Sequence, residues 1–305
     1  MLLRNLWWRA GAVSIFSCWI RIELRVVLFI PLLAHGSFFL KDLVVLKYFI
    51  IQGVRGLLIL SLLFFRFTQD FSRRSAMGVI FVFILKTGTF PFFQWVVSLG
   101  ERVSWYPLFI LLSLQKIIPL IFITYFCSRV VELISIIGWA VLPILVVNRK
   151  KIKPVVIMSS VFLFLAILCS LCGSAFKWKS LMLLYLLTLG PLASMGDRSD
   201  NLKRSLGGCA SPAFLVSWRV LLLRLIGLPP LPGFLIKVEL FRLVIERRFV
   251  LTIAFLAGSI VMTWVYVNLW FLLIIARANL RVERLRRGTA AVVAAATLLG
   301  AVLLV

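Results

Sequence analysis

Apolar residues run along this chain in blocks of about twenty, each closed by a short cluster of arginine and lysine or by helix-breaking residues. That length is what an α-helix needs to cross a hydrocarbon core. By this criterion the chain holds eleven spans, roughly 5–20, 22–38, 42–65, 76–98, 106–126, 130–148, 153–172, 179–195, 212–245, 250–275 and 288–305. The predicted fold class is all-α, a polytopic membrane helical bundle of about eleven transmembrane helices with no separate soluble domain. Arg21, Glu23 and Arg25 interrupt the apolar run and set the division between the first two spans. The opening stretch has a signal-like basic and apolar order but no small-residue cleavage site, so it reads as the first membrane helix.

An odd number of spans puts the termini on opposite sides. The connectors on the side of the N-terminus include 148–153, 197–204 and 277–287, and they are richer in Lys and Arg than the others, although Arg73 and Arg74 lie opposite. The positive-inside bias therefore places the N-terminus in the cytoplasm or the mitochondrial matrix.

Composition agrees with the pattern. Of 305 residues 63% are hydrophobic and 14% charged, with mean hydropathy +1.10. The net charge of +24 comes mostly from short basic clusters between apolar blocks. A nucleic-acid face would interleave aromatics with exposed basic residues, so the basic loops point to anionic lipid headgroups and no nucleic acid. The cysteines Cys18, Cys127, Cys169, Cys172 and Cys209 lie in or beside apolar blocks. The Cys169–Cys172 pair has no second Cys or His pair nearby, so neither a metal site nor a disulfide is expected. His35 sits near a block end, at headgroup level.

Four charges fall where a membrane helix should carry none: Glu23, Lys86, Lys116 and Lys237. A charge at bilayer depth costs several kcal/mol and marks an ion path or a functional pair by default. Lys86 stands beside Gly88 and Pro91. Lys237 follows Gly227, Pro229, Pro230, Pro232 and Gly233. Such breakers loosen a helix and free backbone groups to line a wet cavity. The two broken segments are five spans apart, the spacing of two five-helix repeats, one over 5–126 and one over 130–275, with a C-terminal helix at 288–305. A blander reading pairs Glu23 with Arg21 or Arg25 at a helix end. Lys116, mid-block and three residues before Pro119, offers no such escape.

These residues carry a resemblance. Ile22-Glu23-Leu24 leading to Ile30-Pro31, Lys47-Tyr48-Phe49 with Gln52, Leu85-Lys86 with Pro91-Phe92 and Trp95, Gln115-Lys116 with Pro119, Ser159-Ser160, Gly227-Leu228-Pro229-Pro230 with Gly233-Phe234-Leu235 and Lys237, and Asn268 before an aromatic residue follow one another along most of the chain. In this order they resemble the subunit 2 family of NADH dehydrogenase in respiratory complex I, in the short form lacking the first three helices of its bacterial counterparts. The sequence departs from that family at Phe93, where a histidine is usual, with Gln94 before Trp95. The acidic residue that commonly follows this Trp is displaced to Glu101 at best, and 197–205 does not align.

The resemblance implies an antiporter-like, proton-translocating subunit of the membrane arm of NADH:ubiquinone oxidoreductase in the mitochondrial inner membrane. Its partners would be neighbouring antiporter-like and accessory subunits and membrane lipid, cardiolipin included. Its own chain would hold no cofactor, with FMN, iron–sulfur clusters and ubiquinone in other subunits. Burial disfavours the ammonium form of a lysine and a nearby carboxylate restores it. In that scheme Glu23 and Lys86 form the coupled pair, Lys116 is the central relay, and Lys237 serves the far half-channel. The alternatives are a subunit of a multi-subunit cation/proton antiporter, which shares these lysines and breakers, and a membrane scaffold that has lost transport.

Overall fold

The computed structural model describes residues 11–34, 39–68, 73–125, 129–149, 151–171, 178–205, 212–229, 231–245 and 249–278. Twelve α-helices and no strand occur among them: α1 (Gly11–Ala34), α2 (Phe39–Thr68), α3 (Arg73–Thr87), α4 (Gln94–Gly100), α5 (Trp105–Leu112), α6 (Leu114–Tyr125), α7 (Arg129–Val147), α8 (Ile152–Leu171), α9 (Trp178–Ser205), α10 (Pro212–Ile226), α11 (Pro232–Ile245) and α12 (Phe249–Ala278). The chain is a multi-pass α-helical membrane protein. The expected spans 42–65 and 250–275 fall within one continuous helix each, 130–148 overruns its helix by one residue and 153–171 lies within a fourth, and these four helices are long and apolar enough to cross a membrane.

Elsewhere the helices depart from the expected spans. The division at Arg21 to Arg25 does not exist, because α1 runs without a break from Gly11 to Ala34. Polar side chains interrupt hydropathy without interrupting backbone hydrogen bonding, and Glu23 is satisfied sideways by another helix. The stretch 197–204, expected as a connector, continues α9 to Ser205. Spans 76–98 and 212–245 are broken where their glycines and prolines stand. Span 106–126 is also broken, at Ser113 between α5 and α6, while Pro119 lies inside α6. The final span 288–305, His35, Cys127, Cys172, Cys209 and Pro230 lie outside the described residues.

Packing divides the chain into two compact units, Met1–Gly88 with Gln115–Phe126, and Thr89–Leu114 with Cys127–Val305. In the first, α2 packs against α1 and α3. Its outward positions are apolar, with Leu28 67% and Leu57 65% exposed, as a surface facing hydrocarbon or another apolar surface requires. The second unit is arranged about α8, of whose Ile152–Ser170 stretch 83% is buried against 39% or less in the other three continuous spans. Helices α4, α7, α9, α11 and α12 all contact it.

Two intrahelical prolines show how this second unit satisfies its backbone. A proline at position i cannot donate to the carbonyl at i−4, and in hydrocarbon an unpaired carbonyl costs several kcal/mol. Pro143 in α7 frees the carbonyl of Trp139. Helix α12 approaches that oxygen through Gly258, where a Cβ would lie 2.5 Å from it and 2.7 Å from the Phe162 ring. The close approach lets Trp139, Phe162 and Phe255 cluster, with Trp139–Phe255 and Phe162–Phe255 centroids 5.2 and 5.6 Å apart. Pro191 in α9 frees the carbonyl of Leu187, and the guanidinium of Arg224 in α10 donates to it through Nη2 at 2.6 Å. Arg224 is 2% exposed.

Gly258→Ala is expected to force α12 off α7, costing about 1–3 kcal/mol as overpacked cores do, read as a lower melting temperature in detergent with helicity retained. Arg224→Met and Pro191→Ala should each destabilise, by about 1–3 kcal/mol for the buried polar group left unmatched. The double variant should be more stable than either single one, because the restored amide at 191 then serves Leu187 and no guanidinium is left over. Additive losses would refute the pairing.

Candidate functional site

In the first unit the site forms where α3 stops. Thr87 turns its Oγ1 back onto the carbonyls of Phe83 and Ile84 at 3.0 and 3.1 Å. Gly88 then takes φ +63°, a left-handed conformation that glycine adopts without strain, and its N–H reaches the carbonyl of Leu85 at 3.3 Å. Lys86 thus occupies the last helical turn, where the partial negative charge of the helix end favours a cation. Its Nζ donates to Oε1 of Glu23 in α1 at 2.5 Å. The lysine side chain is 4% exposed and that of Glu23 24%. Of the two readings of Glu23, the structure gives the pair with Lys86.

Glu23 fits between α1 and α2 because residue 56 is glycine, where a Cβ would overlap the carboxylate. The indole of Trp19, one helical turn before Glu23, donates to the carbonyl of that glycine at 3.0 Å. Beside the ion pair lies an open cleft with about 30 Å³ of room for water centres, lined by Arg25, Gln52, Lys86, Gln115 and Pro119 among others. Tyr48, fully buried, and Gln115 exchange hydrogen bonds at 3.0 and 2.8 Å. Lys116, next in the chain and 1% exposed, belongs to the same unit. Glu23, Lys86 and Lys116 are therefore gathered in one compact body. The lysine of the ion pair thus shares a cleft with the amides of Gln52 and Gln115, the second of which bonds the Tyr48 phenol.

Lys237 belongs to the second unit, at the other break. Helix α10 ends at Ile226, Gly227 takes φ +78° with its N–H on the carbonyl of Leu223 at 3.2 Å, and α11 starts at Pro232, where a missing N–H costs nothing. Pro229 stands in the turn between them. The ammonium of Lys237 donates to the carbonyl of Ile226 at 2.7 Å, satisfying an oxygen that the helix end left open. Gly233 sits hard against the carbonyl of Arg224, leaving no room for a Cβ. This break is closed by two cations, Lys237 on its own helix end and Arg224 on the kink of α9.

The sequence reading missed Arg224, although the criterion that singled out Lys237 applies to an arginine three residues ahead of Gly227. It also passed over the roles of Gln52, Gln115 and Tyr48, whose neutrality gives no hydropathy signal. In the second unit Tyr185 donates to the carbonyl of Leu112 at 3.0 Å and bonds Ser160, while Tyr266 donates to Ser159. These buried hydroxyls tie α9 and α12 to α8. Phe93, at the position where a histidine was expected, is buried and stacks on Phe90 with centroids 6.3 Å apart, and Gln94 is exposed. Neither is placed here as a proton relay within its own unit.

Comparison with known proteins points one way. No protein-family model matches the chain. Among curated proteins it is 28% identical to NADH-ubiquinone oxidoreductase chain 2 of Artemia franciscana over 238 residues, 73% of this chain and 72% of that one. The protein of the same name from Mytilus edulis is 26% identical over 264 residues, covering 85% and 79%. Its fold matches a chain of respiratory complex I from Thermus thermophilus with a TM-score of 0.73 at 17% identity, covering 93% of this chain and 71% of that one. It also matches a chain of the Mrp complex from Dietzia sp. DQ12-45-1b with a TM-score of 0.70 at 12% identity, covering 84% and 56%. Over most of its length the chain is thus similar to NADH-ubiquinone oxidoreductase chain 2, and it shares its fold with membrane chains of respiratory complex I and the Mrp complex.

Proposed function

We propose that the chain is a proton-translocating membrane-arm subunit of NADH:ubiquinone oxidoreductase, similar to one cation/proton antiporter subunit and free of redox cofactors of its own. The observation that supports this most is the Glu23–Lys86 ion pair set at the broken end of α3. Charges at this depth are costly to keep, and a carboxylate that can approach or leave a lysine gives that lysine two states. In one the ammonium is matched and holds its proton; in the other it is unmatched and gives the proton up. Energy would arrive from neighbouring subunits that carry the flavin, the iron–sulfur clusters and the quinone. Lys116 receives the proton within the same unit, and Lys237 serves the second half of the path. The matching breaks at Gly88 and Gly227 support an internal repeat, one copy over 5–126 and one over 130–275.

In this reading the protein resides in the mitochondrial inner membrane with its N-terminus toward the matrix. It contacts neighbouring antiporter-like and accessory subunits, and its basic connectors meet anionic lipid such as cardiolipin. The likeness to an Mrp chain favours one second reading, a subunit of a free-standing cation/proton antiporter. Intact complexes separated by size in mild detergent distinguish the two: this chain is expected to migrate with inhibitor-sensitive NADH:quinone reductase activity. Migration with sodium/proton exchange and no NADH oxidation would favour the antiporter.

Lys86→Met and Lys237→Met are expected to assemble normally and to lower coupled proton movement by about a hundredfold, within the range of a lost proton-transfer group. Assembly of both variants with an unchanged ratio of protons to electrons would leave the chain as a scaffold.

A further inference from the structure

The cleft beside the Glu23–Lys86 pair holds polar groups that the ion pair does not use. Gln52, in α2, is 2% exposed and lines the cleft, yet its Oε1 has no hydrogen-bond partner among the described residues. Pro119 lies in α6 and cannot donate to the carbonyl four residues back, that of Gln115, and both residues line the same cleft. A buried acceptor beside a cation is not left dry in native proteins; it is met by water where space allows. A water needs roughly 10–15 Å³ of room for its centre, and this cleft offers about 30 Å³.

We infer that Gln52 is a proton-path residue whose side-chain oxygen holds a water molecule in the cleft, through which Lys86 exchanges its proton in the direction of Lys116. The inference rests on the reading of Lys86 as a proton carrier. In the step, Nζ of Lys86 gives one proton to the oxygen of that water while the water gives one of its own onward, through water of the cleft, to the neutral amine of Lys116. Lys86 is left a neutral amine, Lys116 becomes the ammonium and the water is restored. Gln52 neither gains nor loses a proton, since its amide oxygen accepts the hydrogen bond that keeps the water in place. Gln115 is already tied to Tyr48 through its side chain, so Gln52 is left to hold the water. A path of this kind dispenses with a histidine at position 93, because its polar link lies within the first unit, on amides.

The test uses the assembled complex in membrane vesicles, with NADH-driven proton uptake measured for the parent, Q52L, Q52N and K86M. Leucine keeps the volume and removes the acceptor, whereas asparagine keeps a neutral amide oxygen in the cleft. Q52L is expected to lower proton movement about tenfold, the effect of one lost hydrogen bond, while Q52N stays within about twofold of the parent by the same measure. Parental proton movement in Q52L overturns the inference, as does equal loss in Q52L and Q52N. K86M separates the two levels: normal pumping by K86M removes the relay reading and this inference with it, while an inactive K86M beside a normal Q52L removes only the role of Gln52. Should Q52L fail to assemble, an experimental density map of the parent complex decides. A water within hydrogen-bond reach of Gln52 Oε1 supports the inference, and a dry cleft overturns it.

Discussion

A helix that stops inside hydrocarbon leaves carbonyls with nothing to bond, and the arrangement of this protein follows from how those carbonyls are met. Helices α3 and α10 both stop at a left-handed glycine, Gly88 and Gly227. At the second break Lys237 takes the open carbonyl of Ile226, whereas at the first Lys86 stands in the last turn and gives its bond to Glu23. Where a proline opens a carbonyl within a helix, a different device serves: a guanidinium from a neighbouring helix for Leu187, the close approach of a glycine for Trp139. Lys237 and Arg224 are therefore structural cations, each closing a carbonyl that a helix left open.

The two breaks look alike in sequence and differ in what their lysines bind. Lys86 meets a carboxylate, whose attraction changes steeply with distance in a medium of low dielectric. Lys237 meets a backbone carbonyl fixed at the end of α10. A side-chain partner can move and a helix end cannot, short of moving the helix. The first break is thus suited to switching and the second to holding a station in place, with Arg224 anchoring the helix that supplies the carbonyl. Two breaks alike in sequence need not be alike in chemistry.

Much of this was legible in the residues alone. Block length gave the membrane class. Glycine and proline beside lysine gave both principal breaks, because the left-handed turn and the missing amide are properties of those residue types. The pairing of Glu23 with Lys86 is long-range in sequence, and only the packing of α1 against α2 at Gly56 decides it over a contact with Arg25. The continuity of α1 was misread, since hydropathy records the cost of a charge without its partner. The break at Ser113 carries no glycine or proline, and so nothing in the residue types announced it. Arg224 was visible and overlooked, whereas Gln52 could not be seen: a neutral amide in an apolar helix gains meaning only once the cleft is known.

Neutral amides suit the position that Gln52 and Gln115 occupy. A second charge beside Glu23 and Lys86 would either compete for the ion pair or need a partner of its own, and each added ion costs several kcal/mol of desolvation. An amide oxygen orients water at a fraction of that cost and keeps the same charge whether the neighbouring lysine is loaded or empty. Under the proposed function the lysine would then change state against a constant background. A histidine in that place would titrate along with the lysine and blur the two states.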